Sequence, residues 1–250
     1  MTGPSEQPQP PGDGDLTLSI RGVAGAPPET DGAMPLQIDT SRGMLHGLFH
    51  PVEGGTGAAV FGGGAMGGLD GPADAIYRRI PAALAEKNIS SLRLDYRVPN
   101  NMEECVLDVL GACSVLKGIG ATDVVLVGHS FGAAVVIGAG ELAPIVRGVV
   151  AMSPQLNGTH RVEHLDKPLL LVHGMADTVL NHEASEDIYR RAHDPKRIVL
   201  YEEAGHSLVQ ASEDVWDLLL EWISDRLTFQ PMESGRDEHR GPHRGRDAPR

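Results

Sequence analysis

Between residues 16 and 228 the chain alternates short apolar runs with longer amphipathic stretches. Ala58–Phe61, Val124–Val127, Gly148–Met152 and Pro168–His173 read as nearly unbroken apolar segments. Such runs, closed off by Gly, Pro or polar residues, predict strands buried on both faces. Ser91–Tyr96 and Ile198–Tyr201 add two more, while Leu16–Val23 and Leu36–His50 predict early strands, antiparallel at one edge. Between them lie stretches of helical period: Ala73–Lys87, Met102–Lys117, Ala133–Leu142, Glu183–Ala192 and Ser212–Leu227. The last of these places Val215, Trp216, Leu219, Trp222 and Ile223 on one face.

Strands alternating with helices predict an α/β protein with a mostly parallel central sheet of about eight strands, covered by helices on both faces. Right-handed crossovers then bring the loops that follow the parallel strands to one edge of the sheet. Only about 15 residues, Ser153 to Lys167, separate the strand ending at Met152 from the one starting at Pro168. That is room for a loop and one short helix and not for a cap domain, so any site at this edge is expected to be open.

The ends of the chain differ in character. Residues 1–14 are rich in Pro, Gly, Gln and Asp, and residues 231–250 in Arg, His, Asp and Gly without apolar periodicity. Both are expected to be disordered tails around one domain spanning 15–230. His239 and His243 lie in the second tail, where solvation explains them better than metal or polyanion binding. The formal charge of −13 argues against a nucleic-acid partner. No apolar stretch is long enough to span a membrane, and Met1–Asp15 carries neither a basic segment nor an apolar run of the signal-peptide kind. The expectation is a cytoplasmic protein without a membrane partner. Cys105 and Cys113 fall on one predicted helix, eight residues and therefore about 12 Å apart. A disulfide needs Cα atoms within about 7 Å, so the two thiols are read as small buried side chains.

The chemistry concentrates at Gly128-His129-Ser130-Phe131-Gly132, directly behind the Val124–Val127 strand and ahead of an apolar helix. This G-x-S-x-G pattern is that of a nucleophile elbow, in which a strained strand-to-helix turn exposes a serine hydroxyl. It demands an acid and a histidine later in the chain. Asp177 follows the Pro168–His173 strand, and His206 follows the Ile198–Tyr201 strand, both at the same sheet edge. A neutral His206 would take the Ser130 proton, and Asp177 would hold the imidazole tautomer and stabilise the imidazolium. The developing oxyanion would be met by the backbone N–H of Phe131 and by a second donor, Ala65 or Gly64, in the loop Gly62–Gly68. Met66, His129, Met175 and Arg97 are candidate substrate contacts, with Phe131 and Leu208 as further candidate pocket walls. Each also has a plain structural reading, as core, surface or ion-pair residue.

Gly62-Gly63-Gly64-Ala65-Met66-Gly67 also fits G-x-G-x-x-G, and Asp95 closes a later strand where a ribose-binding acid would sit. Against a dinucleotide site, Leu69-Asp70-Gly71-Pro72 intervenes before the helix, whose N-terminus would otherwise meet the pyrophosphate. Glu202 and Glu203 precede the histidine loop and are less suited than Asp177 to be the acid.

The segments Gly62–Gly68, Leu92–Arg97, Gly128–Gly132, His173–Val179 and Gly205–Ser207 resemble the α/β-hydrolase superfamily, over roughly residues 16–228. The compact plan is similar to the dienelactone-hydrolase and small-esterase branch. The resemblance implies an α/β-hydrolase fold, a Ser130-Asp177-His206 triad, and no cofactor or metal. Two departures stand out. The oxyanion strand reads Phe61-Gly62-Gly63-Gly64 in place of the usual His-Gly, and Ser130 replaces the cysteine of dienelactone hydrolases. The expected activity is serine-dependent hydrolysis of a small carboxylic ester or thioester. A non-catalytic ligand-binding protein on the same fold, or a dinucleotide-dependent oxidoreductase, are the alternatives.

Overall fold

The computed structural model describes residues 16–228, so the two tails lie outside the described residues. Nine strands form one sheet: β1 (Ile20–Gly25), β2 (Met34–Thr40), β3 (Gly43–His50), β4 (Gly57–Gly62), β5 (Ile89–Asp95), β6 (Asp123–His129), β7 (Val146–Met152), β8 (Leu169–Gly174) and β9 (Lys196–Tyr201). Their spatial order is β1-β2-β3-β5-β4-β6-β7-β8-β9. β1, β2 and β3 run antiparallel, and β3 pairs antiparallel with β5. From β5 to β9 every pairing is parallel. Nine strands appear rather than eight because the Leu36–His50 stretch breaks at Ser41-Arg42, with Gly43 at φ +114° starting the return strand. β1 begins four residues later than the sequence pattern predicts, at Ile20, and is exposed throughout. As an edge strand it is bounded by its pairing with β2 and not by a buried face.

Helices α1 (Pro72–Glu86) and α5 (Ser212–Leu227) cover one face, and α2 (Met102–Gly118), α3 (Phe131–Leu142) and α4 (Glu183–Arg191) the other. The parallel strands serve both. On β6, Val124 and Leu126 pack toward α2 and α3, while Val125 and Val127 pack toward α1 and α5. β4, β7 and β8 divide in the same way, which is why their sequences are apolar without alternation. On α5, Val215, Leu218, Leu219, Trp222, Ile223 and Leu227 are buried. Trp216 is only partly buried at the rim, with the Arg79 guanidinium 5.1 Å above its ring. The connection from β7 to β8 holds a single short 3-10 turn, Val162–His164, and no inserted domain. No helix among the described residues is long and apolar enough to cross a membrane.

Of the readings the sequence offers for Arg97, substrate contact and ion-pair residue, the packing at the end of β5 selects the ion pair. Arg97 does not face the substrate edge as a free anion-binding group. Its backbone N–H donates to Asp108 Oδ2 at 2.9 Å, and its Nε–H to Asp108 Oδ1. The guanidinium also reaches Glu104 Oε2 and the Arg42 carbonyl, each at 2.8 Å. Asp108 and Glu104 lie on α2, so Arg97 ties β5 to that helix. Its side chain is 4% exposed and that of Asp108 is fully buried, and burial at this depth is tolerable only because the charges are paired.

Two measurements test this core. Arg97→Met leaves a buried Asp108 carboxylate without its partner and is expected to lower unfolding stability in urea by about 3–5 kcal/mol. Burial pushes both Cys105 and Cys113 up to about 12. Neither thiol is therefore expected to react with iodoacetamide near neutral pH until the protein is unfolded, as read by mass spectrometry.

Candidate active site

Ser130 connects β6 to α3 with φ 58° and ψ −120°, a left-handed backbone that a side-chain-bearing residue adopts only at a cost of about 1–3 kcal/mol. Its surroundings impose that conformation. The Ser130 N–H donates to the Met152 carbonyl at the end of the neighbouring strand β7, at 2.8 Å. Gly128 and Gly132 allow the turn to close. A Cβ on Gly128 would strike the Gly132 carbonyl, and one on Gly132 would strike the Gly63 carbonyl behind β4. The elbow is thus a stack of three backbones with no space for side chains, and it pushes Ser130 Oγ outward.

The loops after β8 and β9 meet at this hydroxyl. His206 Nε2 lies 3.0 Å from Ser130 Oγ, and His206 Nδ1 lies 2.7 Å from Asp177 Oδ2. Asp177 Oδ1 accepts the backbone N–H groups of Val179 and Leu180, at 2.7 and 2.9 Å. Burial is the largest influence on the Asp177 carboxyl and pushes it up. The Leu180 N–H, the His206 hydrogen bond and the Val179 N–H outweigh burial together and hold the group below its ordinary range. It is therefore a carboxylate at neutral pH.

The loop carrying His206 is anchored through its own backbone. The His206 carbonyl lies 2.9 Å from His129 Nε2 and accepts the Ser153 hydroxyl at 3.0 Å. Burial lowers His129 to about 4, so its ring is neutral, and the carbonyl on Nε2 makes that nitrogen the protonated one. Its ring centroid stands 4.8 Å from that of His206. Next along the chain, the Ser207 carbonyl accepts the Ala73 N–H at 2.7 Å, which joins the histidine loop to the start of α1.

An open cleft of about 480 Å³ lies over Ser130. Its walls are the segment Gly63–Pro72, Tyr77, His129, Ser130, His206 and Ser207. This size lies within the ordinary range for small-ligand sites. Gly64 runs beside Ser130: a Cβ placed there would be 3.9 Å from the Ser130 Cβ. The Gly64 carbonyl accepts the Gly67 N–H at 2.9 Å, closing the loop into a tight turn. Phe131 opens α3, so its N–H belongs to the first helical turn, where the backbone leaves donors unused. Met66 stands at the rim, 94% exposed.

Several candidates are placed elsewhere. Met175 does not line the cleft: its N–H donates to Tyr201, continuing the β8–β9 pairing, and its side chain is turned to solvent. Leu208 and the Phe131 side chain are core residues, on the α1/α5 and α2/α3 faces respectively. Sequence reasoning missed Leu69–Pro72 and Tyr77 as cleft walls, having read Leu69–Pro72 only as a spacer. It also missed His173 and Ser153. The His-Gly-x-x-Asp spacing at 173–177 carried a signal for His173, while nothing local marked Ser153. Asp95 is exposed at the end of β5 and is not part of the cleft, and no cluster of His, Cys, Asp or Glu among the described residues is arranged to hold a metal.

This architecture is the α/β-hydrolase fold, with no inserted lid among the described residues. The family model described as serine aminopeptidase, S33, matches residues 158–213, which include Asp177 and His206. No curated protein matches the chain in sequence. Among solved structures, dienelactone hydrolase from Anabaena variabilis is similar with a TM-score of 0.69 and 19% identity, over 81% of this chain and 100% of that one. Est1E from Butyrivibrio proteoclasticus gives 0.68 and 18%, over 78% and 98%. A serine hydrolase without lid from Xanthomonas campestris gives 0.64 and 18%, over 82% and 100%. At these identities the likeness is one of fold.

Two glycines separate the packing demands of the site from its chemical ones. Gly132→Ala is expected to lower the melting temperature by several degrees, since its Cβ meets backbone that cannot yield. Gly64→Ala, with its Cβ in ordinary contact beside Ser130, is expected to leave the melting temperature unchanged and to slow reaction of Ser130 with a bulky fluorophosphonate. Thermal melts and labelling rates of the two variants check this.

Proposed function

We propose that the protein is a serine hydrolase that cleaves small carboxylic esters through an acyl-enzyme. The observation that carries the proposal is the unbroken hydrogen-bonded series Asp177–His206–Ser130, with spacings of 2.7 and 3.0 Å, ending in an open cleft. The names of the similar structures support it: dienelactone hydrolase, an esterase domain from Rhodothermus marinus, and Est1E with bound ferulic acid.

In the proposed reaction Ser130 Oγ attacks the ester carbonyl as His206 Nε2 removes its proton. Asp177 accepts from His206 Nδ1–H throughout and stabilises the imidazolium without itself becoming protonated. The tetrahedral oxyanion lies against the Phe131 N–H and a second N–H from Gly64 or Ala65; one such donor contributes about 3–4 kcal/mol to the transition state. Collapse expels the alkoxide, which takes the proton from His206 and leaves as the alcohol. Water, deprotonated by the same imidazole, then attacks the acyl carbonyl, and Ser130 leaves with the proton from His206. The acid is released and the side chains return to their starting state. Met66 at the rim and His129 in the wall are the proposed substrate contacts. With no inserted domain over the cleft, short acyl groups are the preferred substrates.

The matched aminopeptidase model favours a second reading, an amide substrate attacked by the same three residues. Comparing p-nitrophenyl acetate with amino-acyl p-nitroanilides separates the two, the ester being the expected substrate. Ser130→Ala is expected to reduce ester turnover to background and to abolish labelling by a fluorophosphonate. Unchanged turnover in that variant would refute the proposal, and a native Ser130 that takes no label would favour a binding protein on the same fold.

A further inference from the structure

Asp177 Oδ2 is shared by two imidazoles. Besides His206 Nδ1, it has His173 Nε2 at 3.1 Å. His173 lies on β8, four residues before Asp177, with its side chain fully buried. The company of its two ring nitrogens fixes the proton. Nε2 faces only acceptors, Asp177 Oδ2 and the Leu180 carbonyl, both at 3.1 Å. Nδ1 faces the hydroxyl of Ser185, a buried residue of α4, at 2.7 Å. A hydrogen on Nε2 satisfies the first pair, and a neutral ring then accepts from Ser185 at Nδ1. Burial, the largest influence, lowers the His173 imidazole and favours this neutral form.

We infer that Ser185 and His173 are a positioning pair for Asp177: the Ser185 O–H anchors the His173 ring at Nδ1, and the Nε2–H that the two acceptors require aims Asp177 Oδ2 at His206. The carboxylate then receives two backbone N–H groups at Oδ1 and two imidazole N–H groups at Oδ2. With both oxygens engaged, it has no rotation left that keeps its partners. Neither residue touches the cleft, so both act on the reaction only through Asp177. The titratable groups acting on this cluster are Asp177, His206 and, from the end of β6, His129; α4 contributes the neutral Ser185. Without the His173 N–H, the Asp177 charge falls more fully on His206 Nδ1–H, which favours the imidazolium and moves the acid limb of activity to higher pH.

The catalytic readout of this inference rests on the proposed hydrolase function, so the experiment has a second arm that does not. His173→Leu removes both ring nitrogens, His173→Gln keeps an amide N–H near the Nε2 position, and Ser185→Ala removes the hydroxyl that anchors Nδ1 with little change in packing. For p-nitrophenyl acetate, His173→Leu is expected to lower kcat about 10- to 100-fold with KM little changed, and to raise the pH of the acid limb. His173→Gln is expected to recover most of both, and Ser185→Ala to fall between. In the second arm, the low-field proton resonance of His206 Nδ1–H is followed by NMR in folded protein. It is expected to shift or broaden in His173→Leu and to return in His173→Gln. A folded His173→Leu with an unchanged His206 resonance overturns the inference, as does a Gln variant that behaves like Leu; Ser185→Ala supplies the same reading if the Leu variant does not fold. A native protein that hydrolyses no ester while the resonance responds as described counts against the hydrolase function and in favour of the positioning pair.

Discussion

The left-handed backbone of Ser130 is the constraint around which the rest of the molecule is arranged. No serine adopts that conformation for its own sake, and the strain persists because three backbone segments close on it. The β7 carbonyl of Met152 takes its N–H, Gly128 lets the helix return over the strand, and Gly132 rests on the Gly63 carbonyl. Each contact comes from a different part of the sheet, so the turn cannot relax unless β4, β6 and β7 separate. Those strands are buried on both faces, and the hydrophobic energy of the two cores holds the elbow in its unfavourable geometry.

The same two cores explain how residues far apart in sequence come to share hydrogen bonds. Parallel strands joined by right-handed crossovers deliver every following loop to one edge. Ser130, Asp177 and His206 arrive there after β6, β8 and β9. What happens next is a matter of polar satisfaction. The His206 carbonyl is held by His129 and Ser153, the Ser207 carbonyl by Ala73, and both Asp177 oxygens by four N–H groups. A site assembled from three loops is made rigid by hydrogen bonds that the loops cannot make with water once they are packed. The open side of the cleft is left to the glycine loop and the first turn of α1, where Gly71 and Ala73–Ala75 take positive φ.

The sequence of Arg97 shows why local reading has limits. A strand-end arginine beside the elbow strand reads as an anion site or as an ion-pair residue, and nothing within a few residues decides between them. Its partners Asp108 and Glu104 lie one helix later, and only the docking of α2 on the sheet brings them to the guanidinium. Met175 fails for a related reason: it lies two residues before Asp177, but the β8–β9 pairing claims its backbone and directs the side chain away from the cleft. His129 carried two readings in the sequence, pocket wall and packing group, and in the structure it is both.

The amino-acid sequence alone determined the features that depend on neighbours along the chain. These are the apolar runs of the doubly covered strands, the helical faces, the elbow pattern, the order Ser-Asp-His at strand ends, and the short β7–β8 connection that leaves no room for a lid. Each is governed by periodicity, backbone preference or chain length, which are local quantities. Tertiary structure decided whatever depends on residues brought together across the sheet: the pairing of Arg97, the tautomers of His129 and His173, the double use of Asp177 Oδ2, and the position of Gly64 beside Ser130. The reason is geometric. A hydrogen bond is specified to a few tenths of an ångström between atoms whose separation in sequence is tens of residues, and only the packed sheet sets that distance.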